Sequence, residues 1–318
     1  MAKGKNFSWV DYFSARLVRL WLVLIPALVF TAVCDFLTLR AVPNAFDGAL
    51  SSLWNSGPSS LEGFGWQVFA ANGLFLQTIV APVFGSNGPL WSLANEFWYY
   101  VLFPLIACSI CFMRDSGFFK RGIILLLAMY IALWLPGEIV FYFAIWLMGV
   151  ACFLVMQKYS PKINRPLTFL SIILFAFSLV ATKISPNNDQ LMIWMDILVG
   201  LCFSILLICL NGHEIPWSSR RMLNSVIKSL SDFSYSLYLF HFPLVILLAV
   251  TLVGDVQLQP NLASVVALLG ATGLCLFVAW MSWFLFERHN DYIRRHVRRL
   301  IAYLPILRSR VIGNWGTD

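Results

Sequence analysis

Trp66-Gln67-Val68-Phe69-Ala70-Ala71-Asn72-Gly73-Leu74-Phe75-Leu76-Gln77-Thr78-Ile79-Val80-Ala81-Pro82-Val83-Phe84 is the stretch that decides how this chain is threaded. It is apolar enough to suggest a membrane helix. Yet it carries Gln67, Asn72, Gly73, Gln77 and Pro82, and it runs straight into a Gly-Ser-Asn-Gly-Pro turn at 85–89. If 66–84 crosses, Lys3, Lys5, Arg16 and Arg19 fall on the opposite face from every other basic cluster, against the cytoplasmic bias of Lys and Arg. If it does not, all 22 lysines and arginines except Arg40 and Lys183 gather on one face. The segment is therefore expected to be re-entrant or interfacial. That is tolerated at membrane depth only where protein or a watery cavity satisfies the backbone.

Around it the chain is built for a bilayer. Sixty per cent of the 318 residues are hydrophobic and 12% are charged, against about a quarter charged in a soluble domain. Apolar runs near the roughly 20 residues that span a hydrocarbon core occupy 17–39, 91–113, 121–136, 138–157, 166–182, 191–211, 233–253 and 262–286. The expected fold is an all-α polytopic transmembrane bundle of about eight crossings plus the re-entrant segment. It forms one domain over 1–318, with a basic cytoplasmic tail from 287 and both termini cytoplasmic. The first run is too long for a signal peptide and lacks a small-residue cleavage site.

The net charge of +7 is spread over loops and so points to topology, with no nucleic-acid face. In the tail, arginines 288, 294, 295, 298, 299, 308 and 310 alternate with Tyr292, Ile293, Leu300, Ile301 and Tyr303. That pattern fits an anionic lipid surface or an anchor after the last span. The seven cysteines lie in or beside apolar runs as small hydrophobes. Cys108 and Cys111 have no second ligand pair nearby, so no metal site is expected. No internal repeat is apparent, unlike the inverted halves of many transporters.

Three polar constellations stand out. Arg16 and Arg19, three apart at the start of the first span, project from one helix face. Two guanidiniums so placed suit a phosphate-rich ligand and equally serve as a topological anchor. Trp91-Ser92-Leu93-Ala94-Asn95-Glu96-Phe97-Trp98-Tyr99-Tyr100 sets the Glu96 carboxylate in a span beside Tyr99 and Tyr100. There it marks a substrate path or proton relay, while the aromatics also fit an interfacial belt. Ser234, Tyr238 and His241 form a polar stripe at i, i+4 and i+7. His241 is a proton donor or acceptor near neutrality or a structural histidine. Asp35 and Asp196, with Glu96, are expected toward the outer end.

Together these segments resemble the acyltransferase 3 family of integral membrane O-acyltransferases. Arg16-Leu17-Val18-Arg19, within Tyr12 to Pro26, resembles its R-x-x-R helix. Trp91 to Tyr100 resembles its W-S-L-x-x-E-x-F-Y signature, and Ser234 to Pro243 its S-Y-x-L-Y-L-x-H-x-P signature. The resemblance implies transfer of an acyl group, commonly acetyl, from cytoplasmic acyl-coenzyme A to a hydroxyl of a glycan or lipid-linked sugar, at a bacterial inner membrane. It implies Arg16 and Arg19 on the donor's phosphates, and Glu96 and His241 as catalytic groups. Trp91, Tyr99, Tyr100 and Tyr238 would face substrate.

One departure is plain. The family pattern begins with two further helices, which carry a basic residue and, eleven positions on, the histidine regarded as the base. The histidines here are His213, His241, His289 and His296. Either Met1 lies inside a longer reading frame, the reading favoured by the loop-like Lys3 to Trp9, or this is a shortened member without activity. The alternatives to an enzyme are a transporter or flippase of a lipid-linked sugar, and a structural partner in polysaccharide assembly. No feature of the sequence assigns an oligomeric state.

Overall fold

A computed structural model describes residues 9–46, 61–112, 118–159, 164–184, 189–211, 217–253 and 259–303. Among them every long apolar run is helical and no strand forms beyond an isolated Gln77–Ala81 bridge. In chain order the helices are α1 Trp9–Ala41, α2 Trp66–Gly73, α3 Leu90–Ala107, α4 Phe118–Trp134, α5 Gly137–Tyr159, α6 Arg165–Ile184, α7 Asp189–Asn211, α8 Trp217–Asp232, α9 Ser234–Leu248, α10 Leu262–Leu285 and α11 Asn290–Tyr303. Lys3, Lys5, Arg114, Lys162, His213, Arg308 and Arg310 lie outside the described residues.

Seven helices among the described residues are long and apolar enough to cross a membrane: those at 11–41, 90–110, 137–159, 165–184, 191–211, 234–253 and 262–301. The chain is a multi-pass membrane protein. The remaining expected crossing, 121–136, forms α4, whose 17 residues extend about 26 Å, slightly less than the ~30 Å hydrocarbon core. Large apolar side chains such as Phe169, Ile173, Phe177 and Val180 on α6 are exposed, as a lipid-facing surface requires.

The chain divides into two compact units, residues 1–100 with 226–318, and residues 101–225. In the first, α1 is the central element, packed by α2, α9 and α11, while α10 packs on α9. The Trp66–Phe84 segment folds as the short α2, a turn, and an irregular return. Just before it, Phe64 packs on Phe46 beyond the far end of α1, ring centres 5.2 Å apart. The segment's deepest part hangs the Gly73 carbonyl on Trp21 Nε1 at 2.7 Å and the Phe75 carbonyl on Trp98 Nε1 at 3.0 Å. It then climbs back until Ser86 N–H reaches Asp35. Entry and exit are at the same end of α1, so the segment is re-entrant.

Its backbone is satisfied by side chains, as burial at that depth demands. The Asn72 amide donates to Val68 O and Pro82 O and accepts from Phe84 N–H. Gln77 donates to Leu90 O at 2.8 Å. Asn87, fully buried, donates to Thr31 Oγ1 and to Leu239 O, both at 2.9 Å. Asn72 and Gln77, two of the polar residues that disqualified 66–84 as a crossing, are among those that hold it in place.

Helix α9 runs in the same direction as α1: Tyr235 bonds Leu20 O, Phe240 packs on Phe30, and Ile246 and Val250 cluster with Phe46. After α10 the chain turns so that Glu287 accepts from Ser236 Oγ at 2.7 Å. The amphipathic α11 then folds onto α1, where Arg298 pairs with Asp11.

In the second unit α5 and α6 both pack on α7. Gly200 on α7 allows close approach to α5, since a Cβ there would lie 3.1 Å from Ile145. Tyr142 donates to Asp196 at 2.8 Å, and the Arg121 Nε–H holds the Ser109 carbonyl of the π-helical turn Cys108–Phe112 at 2.9 Å.

Candidate functional site

The first turns of α1 carry Tyr12, Arg16 and Arg19 along one face, and the middle of α3 carries Glu96 and Tyr100 one turn apart. Packing brings the two together. The Arg16 guanidinium lies 4.9 Å from the centre of the Tyr100 ring and 5.9 Å from that of Tyr12. Tyr12 donates to the Tyr100 carbonyl at 3.3 Å. The Tyr100 hydroxyl donates to Glu96 in a short bond. Arg19 sits 5.7 Å from the Tyr235 ring centre, and Tyr235 is fixed by its bond to Leu20 O. Each guanidinium therefore rests on an aromatic face, which orients it and leaves its N–H groups for another partner.

The two ion pairs among the described residues are Arg294–Asp291 and Arg298–Asp11, so no salt bridge neutralises Arg16 or Arg19. Both are exposed. A pair of guanidiniums outside any salt bridge, with the Glu287 carboxylate acting on Arg19 only electrostatically, has the charge and the free N–H groups to receive a multiply charged anion. This cluster departs from the sequence expectation in one respect. Glu96 was expected toward the outer end, away from the arginines; the structure joins it to them through Tyr100. The reason is the re-entrant segment. It delivers Leu90 to the depth of Thr31 and Asn87, below the surface, so the next turns of α3 already reach the level of Arg16.

The other expected residues are distributed differently. Trp91 is exposed, whereas Tyr99, at 5% exposure, is a core residue with little surface to offer a ligand. Tyr238 is half-exposed, donates to Pro89 O at 2.7 Å and shares a 2.5 Å bond with Ser92 Oγ. His241 directs Nδ1 at the carbonyls of Leu237 and Tyr238, 2.9 and 3.0 Å away. Carbonyls only accept, so Nδ1 carries a proton and Nε2 is the ring nitrogen left to meet another group. His241 and Glu96 share no hydrogen bond. Ser234 does not join a protein-facing stripe: it is exposed and returns its hydroxyl to Ser231 O. The buried hydroxyl on α9 is that of Ser236.

Sequence reasoning passed over Tyr12, Tyr235, Ser236 and Glu287. The first two had a signal, since each lies close in sequence to a residue already singled out. Glu287 reaches Ser236 only through the turn after α10, and nothing local announces that. Asp35 and Asp196 belong to different units, and each has its own partner, Ser86 N–H and Tyr142.

The family model described as an acyltransferase domain, that of acyltransferase 3, matches residues 2–283. This chain belongs to the acyltransferase 3 family. No curated protein and no solved structure is matched. The chain is a membrane acyltransferase of this family in general type. The family match takes in Arg16, Arg19, Glu96, Tyr100 and His241 and stops short of Glu287.

Proposed function

We propose that this acyltransferase 3 chain moves an acyl group, commonly acetyl, from cytoplasmic acyl-coenzyme A to a hydroxyl of a sugar in a cell-surface glycan. The observation that carries the reading is the joined cluster: two guanidiniums outside any salt bridge, each on a tyrosine platform, one of them linked through Tyr100 to the Glu96 carboxylate. The guanidiniums suit the donor's phosphates, which they bind by charge-assisted, bidentate bonds. No metal is needed for the donor or for the transfer.

In the transfer, the acceptor oxygen attacks the thioester carbonyl carbon, the carbon–sulfur bond breaks, and the hydroxyl proton passes by way of a base to the leaving thiolate. Glu96, already a hydrogen-bond acceptor, positions that proton or receives it. His241, when neutral, offers Nε2 as a second acceptor. Trp91, Tyr100 and Tyr238 line the approach, and Tyr99 supports them from the core. The docking of α11 on the Asp11 end of α1 supports a common face for the two ends of the chain. That face is the cytoplasmic side, by the distribution of basic residues, in a bacterial inner membrane.

The test is acyl transfer itself. Membrane vesicles from cells expressing the chain are given radiolabelled acetyl-coenzyme A on the cytoplasmic side, and glycan is recovered. Label that depends on the chain and falls with Glu96→Gln is expected. Glycan labelled no more than in vesicles without the chain overturns the proposal.

A further inference from the structure

The cluster at the start of α1 has one charged neighbour that the proposed transfer does not use. Glu287 opens the helical turn Glu287–His289 between α10 and α11, beyond residue 283, where the family match ends, and it is half-buried. Ser236 Oγ donates to Oε2 of its carboxylate at 2.7 Å, and the Ser236 N–H donates to the same group. Ser236 lies in the first turn of α9, where backbone N–H groups have no partner within the helix. The contact therefore caps α9 from the turn that follows α10. A neutral acceptor of the same shape would make both bonds, so the cap does not account for the charge.

The position of Arg19 does. Tyr235, the residue before Ser236, holds the Arg19 guanidinium 5.7 Å from its ring centre, which brings carboxylate and guanidinium to the same turn of α9. Glu287 acts on Arg19 electrostatically. Yet the two form no salt bridge, the ion pairs among the described residues being Arg294–Asp291 and Arg298–Asp11. The flanking charges leave this arrangement open: Arg288 rests over the Phe284 ring at 4.3 Å, and Asp232, at the end of α8, adds a second negative charge in reach of Glu287. Ser236 thus holds a carboxylate within the field of Arg19 and short of contact with it. The N–H groups of Arg19 stay open while part of its charge is already answered.

We infer that Glu287 is a positioning residue of the donor site, a fixed counter-charge that acts through Arg19 to loosen the hold on the donor's phosphates and so lets spent coenzyme A leave. Transfer of the acyl group does not alter the phosphates, so two guanidiniums alone would grip donor and product equally. Binding energy spent equally on both does not speed the chemical step, and slow product release limits many enzymes. The inference rests on the function proposed above for the identity of the anion, and on the geometry for the sign of the effect.

Calorimetric titration of the full chain in phosphatidylcholine nanodiscs, with coenzyme A and separately with inorganic diphosphate, tests it. Glu287→Gln keeps an acceptor for Ser236 and removes the charge. It is expected to bind both anions about three- to tenfold more tightly, a gain that shrinks as salt rises from about 0.05 to 0.5 M. Damage to the fold only weakens binding, so a gain separates the counter-charge from the cap. Ser236→Ala, which releases the carboxylate toward Arg19, is expected to weaken binding, and it decides alone if Glu287→Gln does not fold. Binding by folded Glu287→Gln that equals or falls below the native affinity overturns the inference, as does native affinity in Ser236→Ala where that variant decides. Diphosphate that follows the expected pattern when coenzyme A does not bind upholds the counter-charge and counts against the donor reading alone. Failure of the native chain and of Glu287→Gln to bind either anion overturns both.

Discussion

The Arg16 guanidinium lies 4.9 Å from the centre of the Tyr100 ring, and the hydroxyl of that same ring bonds Glu96. One tyrosine thus serves a cation on its face and a carboxylate at its edge. The two functions can be separated, because the face survives removal of the oxygen.

Tyr100→Phe is the substitution that separates them. It keeps the platform under Arg16 and removes the donor to Glu96. Coenzyme A affinity is expected to stay within about twofold, while acyl transfer falls about 10- to 100-fold, the range for a disturbed proton-transfer group. Parallel measurement of Kd and kcat checks this. A large loss of affinity with kcat intact would place Tyr100 in donor binding only.

The re-entrant segment depends on its amides. Asn72→Ala removes two donated bonds and one accepted bond at a fully buried position. It is expected to cost about 2–4 kcal/mol through the lost bonds and the stranded Pro82 and Phe84 backbone groups. Thermal unfolding in detergent should show the loss. Gln67→Ala, at an exposed position on α2, should leave stability within about 0.5 kcal/mol.

Gly85→Ala meets both a left-handed backbone and the Asp35 carboxylate. A loss of at least about 1–3 kcal/mol is expected from strain alone. Gly270→Ala on α10, where a Cβ meets open space, should be neutral or slightly stabilising in a helix. Equal effects of the two would contradict the description of the 84–89 turn.

The threading predicts a face for each end of α1. Cysteines introduced at Asn44 and at Arg295, both exposed, on a background free of native cysteine, should react with an impermeant maleimide from opposite sides of sealed vesicles. Asn44 is expected to react from outside and Arg295 from the cytoplasmic side. Reaction of both from one side would mean that α1 or the α9–α10 pair does not cross as described.

Much of this was legible in the sequence. The crossings followed from apolar run length, since a bilayer leaves the backbone few options. The re-entrant character of 66–84 followed from Asn72 and Gln77, polar amides that a lipid-facing helix rejects. Depth was harder to read. Glu96 was expected toward the outer end, yet the turn before its helix is itself embedded, with Ser86 on Asp35 and Asn87 on Thr31. Glu96 therefore meets Arg16 and not the outer face. The stripe on α9 was misjudged at Ser234 for a related reason: periodicity gives the spacing of a face, while packing against α10 and the Glu287 turn decides which face is covered. Ser236 wins that position.

Calorimetric titration of coenzyme A into the full chain in nanodiscs tests most directly whether Arg16 and Arg19 form the donor's phosphate site. The native chain is expected to bind, and the Arg16→Ala, Arg19→Ala double variant to bind at least about 100-fold more weakly, as loss of two charge-assisted contacts requires. Equal affinity in the two proteins, or no binding by the native chain, would contradict that assignment.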